Sequence, residues 1–244
     1  MNPIECVTEA TGNSGNRLEL WKNILSWLGA KSICEVGVYG GKFAAHILET
    51  CAGIEKYVMI DPWRHLDNWN KQANKGDAAF EKIYRKAMSR TDEFADKRVV
   101  LRDTTKDAAP RIEDGSLDAV YVDGDHTLRG ITMDLHLMLP KVRIGGVIGG
   151  DDFTSNIWQH NERFSPSEVF PYALCFAEAN NLQIVTLPFN QFCIVNRPDD
   201  GFKLIDLAGY GQLTPVEIYF PDYAVKRSRR KRRKFWSKLA RAWK

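Results

Sequence analysis

The chain has 244 residues, 44% hydrophobic and 27% charged, which is enough for one large α/β domain with a real core. No apolar run is long enough to span a bilayer, and the opening stretch lacks the basic and apolar regions of a secretory signal, so neither a membrane span nor secretion is expected. The net charge of +3 joins two unlike parts: residues 226–244 carry 11 Lys/Arg and no acid, which leaves 23 basic against 31 acidic residues, a body near −8.

Residues 1–16 are polar and rich in Gly and Asn, and read as a flexible lead-in. A helix follows, with Leu18, Trp21, Leu25 and Leu28 on one face and Gly29 at its end. Strands and helices then alternate. The first strand is expected at 32–36, broken by Gly40 and Gly41, and a helix at 42–51 turns Phe43, Ile47, Leu48 and Cys51 inward. A second strand falls at 57–60. Residues 62–97 form a long insertion, helical from about 77 to 95. Further strands are expected at 99–101, 119–122 and 146–149, with a helix at 128–139 stopped by Pro140. The runs at 182–187 and 192–196 are too close for a crossover helix and predict an antiparallel hairpin. The pattern predicts an α/β, Rossmann-like sheet of parallel strands closed by that hairpin. The domain is drawn at 17–222, with a basic amphipathic tail at 223–244. Five widely spaced cysteines without a CxxC pair fit a reducing, cytoplasmic setting.

The first strand ends in Glu35-Val36-Gly37-Val38-Tyr39-Gly40-Gly41 and opens into a helix. Glycines permit positive φ and let a ligand touch backbone. An acid before the turn suits a cationic ligand better than pyrophosphate, and S-adenosylmethionine (SAM) carries an ammonium and a sulfonium. An ordinary tight turn is the alternative. The second strand ends at Asp61, an acid placed to accept ribose hydroxyls, or a solvated strand end. Trp63, His65 and Trp69 follow, aromatic and imidazole rings suited to adenine, a sugar ring or plain loop packing. Asp103 and Thr104 end the third strand, where a polar group could face the adenine amine or simply form a turn.

The last motifs are Val122-Asp123-Gly124-Asp125-His126 and Gly145-Gly146-Val147-Ile148-Gly149-Gly150-Asp151-Asp152-Phe153. With the glycine turn, they resemble the class I SAM-dependent methyltransferases over residues 30–197. The order and spacing are most similar to the branch with a DGDH strand end followed by GGxIxxDD, which includes sugar O-methyltransferases; catechol and caffeoyl-CoA O-methyltransferases are more distantly similar. The resemblance implies SAM held by Glu35, Gly37, Tyr39, Gly40, Asp61, Trp63, Asp103, Thr104 and Asp123. It also implies a metal held by Asp123, Asp151 and Asp152, with Asp125 as the alternate first ligand. Oxygen ligands of this kind suit Mg²⁺, which would lower the pKa of the acceptor hydroxyl. The alternative is that these aspartates cap helices and bind no metal. His126 and Asp123 are the catalytic candidates, His126 as general base or as a structural hydrogen-bonder. His160, in a segment expected to overhang the site, is a weaker candidate, and His46 and His136 read as structural.

Residues 226–234 read KRSRRKRRK, and Trp236, Leu239, Ala240 and Trp243 follow at helical spacing. Aromatic and apolar groups beside many cations suit an anionic membrane surface. Nucleic acid is the lesser alternative, and a solvated tail another. The expected function is Mg²⁺-assisted O-methylation of a sugar hydroxyl on a polysaccharide or glycoconjugate precursor. The enzyme would be cytoplasmic, held at the inner face of the membrane, and could form oligomers. Methylation of RNA or another macromolecule, and a non-catalytic SAM-fold module, are the rival functions.

Overall fold

The computed structural model describes residues 2–157 and 163–211. Five short runs of mostly β-branched and apolar residues form β1 (Ser32–Val36), β2 (Lys56–Ile60), β3 (Arg98–Leu101), β4 (Leu117–Val122) and β5 (Val142–Gly150), all parallel. Between them lie α3 (Lys42–Thr50), α4 (Asp77–Arg90), α5 (Thr105–Ala108) and α6 (Leu128–Met138), and α7 (Val169–Ala179) follows β5. The hairpin β6 (Gln183–Leu187) and β7 (Gln191–Val195) turns through Phe189 and Asn190, both at positive φ, and β7 runs antiparallel to β5. Three residues, 188–190, make the connection, a common length for a hairpin. The sheet order is β3-β2-β1-β4-β5-β7-β6, with an eighth strand outside β6. The expected parallel sheet with an antiparallel C-terminal hairpin is therefore present. One addition is β8 (Lys203–Asp206), which pairs parallel to β6 at the edge.

The largest departure lies at the N-terminus. Residues 1–16 are not a flexible lead-in, because α1 (Pro3–Gly12) lies within them and buries Cys6, Val7 and Ala10. Asn2 caps this helix, accepting from the Ile4 N–H at 2.8 Å, and Glu5 accepts in return from the Asn2 N–H at 3.0 Å. A capping box with proline in the first turn starts a helix that polar composition disguises. It packs on α2 (Arg17–Trp27) and reaches β5, β6 and β7, so the folded unit begins before residue 17. Helix α4 ends at Arg90, and a 3₁₀ turn at Asp92–Phe94 completes the helical part of the insertion.

Two apolar layers sandwich the sheet. Val36, Val58, Val120 and Ile148 face α6 and α7, while Ile33, Tyr57, Tyr121 and Val147 face the other helices. Among the described residues, no helix is long and apolar enough to cross a membrane.

Candidate active site

Register aligns the strand ends. Val36 pairs with Ile60 and Val122, Ile60 with Leu101, and Val122 with Gly150. Gly37, Asp61, Arg102, Asp123 and Asp151 therefore leave the sheet side by side. Strand order reverses between β1 and β4, the point where open α/β sheets bind ligands.

The glycine turn is built from backbone. Gly37 has φ +88°, and a Cβ there would stand 2.1 Å from the Asp123 carbonyl oxygen. The crossing of the β1 and β4 ends thus demands glycine before any ligand does. Gly41, at φ +69°, lets α4 approach, since a Cβ would meet Ala87 Cα at 2.9 Å. Arg90 donates to the Gly40 carbonyl at 2.7 Å. Asp61 organises the opposite side: it accepts from the Tyr39 and Trp63 N–H groups, each at 2.8 Å. Burial pushes the Asp61 carboxyl above its usual range, against these N–H donors.

The cofactor candidates divide by exposure. Tyr39 is 45% exposed beside the turn. Trp63 is fully buried; its Nε1 donates to the Tyr39 carbonyl at 2.8 Å and its ring meets Tyr84 edge-on, so it braces the turn and presents no open face. Glu35 lies beneath the turn, 2% exposed, and accepts from the Tyr57 hydroxyl at 2.7 Å. Burial raises its pKa well above that of an ordinary carboxyl. Asp103 pairs with Arg111, and Thr104 donates to Asp107 at 2.7 Å. Arg102 lies over the Tyr84 ring and bonds Glu81, which ties β3 to α4.

The acidic cluster is assembled differently from the arrangement the resemblance implies. Arg17 pairs with Asp151 and lies 3.6 Å from Asp123. Asp151 also accepts from Gln191 Nε2 at 2.5 Å. Asp152, at φ +59°, pairs with His126 Nδ1. His126 Nε2 lies 3.6 Å from Asp123 and, buried, has no hydrogen-bond partner. Burial pushes Asp123 up to about 6, against the lowering effect of His126 and Arg17. Among the described residues no three His, Cys, Asp or Glu side chains converge to hold a metal ion. Mg²⁺ requires close octahedral oxygen ligation. Here each of the three carboxylates already faces a cationic or polar group of the chain, so the expected Asp123/Asp151/Asp152 magnesium site does not fit.

Asp125 is no alternate ligand either. It accepts from Trp69 Nε1 at 2.9 Å and from Thr127 through both N–H and hydroxyl. Thr127, not Asp125, caps α6. Lys71 donates to the Ser165 and Pro166 carbonyls, both at 2.9 Å, joining the insertion to the segment after β5. Sequence reasoning missed Arg17, Lys71 and Gln191; none lies in a motif, and nothing local marks them. His65 is exposed in the insertion, and its backbone N–H donates to the Asp77 carboxylate at 2.7 Å. His160 and the tail 226–244 lie outside the described residues.

Residues 34–153 match the family model of a methyltransferase domain. The matched segment contains the glycine turn, Asp61 and the acidic ends of β4 and β5 described above. An uncharacterized protein of Sinorhizobium fredii, y4gI, is 28% identical over 115 residues, spanning 44% of this chain and 12% of that protein. A candidate caffeoyl-CoA O-methyltransferase from Staphylococcus aureus is similar in structure, with a TM-score of 0.57 and 13% identity over 79% of this chain and 91% of its own. The O-methyltransferase TomG from Streptomyces achromogenes, solved in complex with SAM, gives a TM-score of 0.52 and 15% identity over 79% and 90%. At such identities the likeness establishes the fold.

Proposed function

We propose that this chain is a SAM-dependent O-methyltransferase acting on a sugar hydroxyl of a polysaccharide or glycoconjugate precursor. The observation that carries the O-methyl reading is the Asp152–His126 pair. Asp152 holds Nδ1 and so orients the imidazole, while Nε2 has no partner and is the atom that can take a proton. Bound SAM supplies an electrophilic methyl group on a sulfonium. His126 Nε2 would take the acceptor hydroxyl's proton as that oxygen attacks the methyl and displaces the sulfur, with methyl ether and S-adenosylhomocysteine (SAH) as products. Asp61 would accept the ribose hydroxyls, and the backbone of Gly37–Gly41 would receive the donor's amino-acid end.

The sugar reading is supported by the motif resemblance and by a cavity of about 480 Å³ in the insertion. Its lining includes His65, Asp67, Trp69, Asn70, Asn74 and Phe164, a mixture of ring faces and amides suited to a sugar. Trp69 joins that cavity to Asp125 at the strand ends. The tail 226–244 is assigned, on its sequence, to an anionic membrane surface where such precursors are made.

The test is methyl transfer from SAM to nucleotide sugars and glycan acceptors. His126→Ala is expected to lower turnover about 10²-fold or more, in line with the contribution of a general base, while SAH affinity stays within a few-fold. Turnover on RNA but on no sugar acceptor would replace this reading.

A further inference from the structure

Asp123 and Asp151 leave neighbouring strands at one level, where a bridging divalent ion is the arrangement the motifs imply. A guanidinium of the chain stands there. Its position is built in. Asn16 caps α2, accepting from the Leu18 and Glu19 N–H groups at 3.0 and 3.1 Å, and so sets Arg17 as the first helical residue. One turn on, Trp21 is fully buried and donates from Nε1 to Gln191 Oε1 at 2.9 Å. The Tyr121 hydroxyl donates to the same oxygen at 3.2 Å. Gln191 is fully buried too, and its Nε2 reaches Asp151. Helix α2 is thereby tied, through Trp21 and Gln191, to the carboxylate that Arg17 pairs with.

We propose that Arg17 takes the place of the divalent ion: held between Asp123 and Asp151, it is the fixed cation of the acceptor site, and methyl transfer proceeds without a metal. A guanidinium stays charged at all working pH values and offers five N–H donors in a rigid fork. Arg17 also bonds the Tyr121 hydroxyl, yet its side chain remains 39% exposed, which leaves part of the guanidinium open to an acceptor. That part meets the acceptor oxygen as it loses its proton, the moment when a preorganised cation lowers the barrier. This role rests on the O-methyl transfer reading, but its central test needs no acceptor.

The test is Mn²⁺ titration of the full chain, followed by electron paramagnetic resonance, with and without SAH. The unmodified chain is expected to leave the free Mn²⁺ signal intact. Arg17→Met keeps a long side chain without charge, leaves Asp123 and Asp151 uncompensated, and is expected to gain Mn²⁺ affinity about tenfold or more. Arg17→Lys, which keeps the charge, is expected to stay blind to Mn²⁺. Should Arg17→Met fail to fold, the unmodified chain and Arg17→Lys decide. Stoichiometric Mn²⁺ binding by the unmodified chain, abolished by Asp151→Asn, overturns the proposal, as does a folded Arg17→Met with unchanged Mn²⁺ affinity. Calorimetry with SAH in EDTA separates the two readings. Failure to bind SAH removes the methyltransferase reading, whereas Mn²⁺ binding by the unmodified chain removes only the role of Arg17.

Discussion

The two halves of the strand-end site are held by different forces. On the β1–β3 side, positions are set by backbone: Gly37 and Gly41 stand where no Cβ fits, and Asp61 is fixed by two main-chain N–H groups. On the β4–β5 side, positions are set by charge. Asp123, Asp151 and Asp152 are balanced by Arg17 from α2 and by His126. The difference teaches where each half can vary. Backbone geometry tolerates almost no substitution, whereas a charge balance can be met by an ion, a guanidinium or an imidazolium.

The harshest way to break this division is Gly37→Ala. The two halves meet at that point, because the added Cβ would strike the Asp123 carbonyl and the residue would keep positive φ. A loss of about 3 kcal/mol or more is expected, read as a fall in the denaturation midpoint together with lost SAH binding. Full stability in this variant would mean that the halves are not in contact.

A milder probe acts on the charge-held side alone. Burial opposes protonation of His126, but the Asp152 hydrogen bond and the Asp152 and Asp123 charges outweigh it, so its pKa lies above the usual 6.5. A base works only when neutral, so turnover should rise with pH through that elevated value. Asp152→Asn removes one of the raising charges. Its pH–rate limb should move to lower pH, and turnover should fall about 10²-fold. An unmoved limb would show that another group titrates.

The smallest expected effect lies behind both halves, at Asp134. Its carboxyl is buried beside Gly124, accepts from the Thr105 hydroxyl at 2.6 Å, and is pushed by burial up to about 7. The folded state therefore holds this proton more tightly than the unfolded chain does. Between the ordinary 3.8 and about 7 that preference stabilises the fold less and less as pH rises. Asp134→Asn keeps an oxygen for Thr105 and should flatten the melting temperature across this window. The same slope in both proteins would place the titration elsewhere.

Much of this was legible along the chain. Strand β1 was predicted at its observed limits, and the hairpin followed from a connection too short for a crossover. The glycine turn and Asp61 were visible because short-range geometry demands particular residues at particular spacings. Helix α1 was hidden because its stability comes from a cap and from packing on α2 and the sheet, which polar composition masks. Trp63 looked like a ligand platform, yet folding turns it inward to brace Tyr39.

The sequence by itself therefore determined the sheet, its closing hairpin and the row of carboxylates at the strand ends. These follow from local periodicity, turn chemistry and short motifs. Only the tertiary structure decided what neutralises that row. Electrostatic partners are chosen by distance in space, and Arg17 reaches Asp151 because α2 is anchored through Trp21 and Gln191, a link that no local pattern encodes.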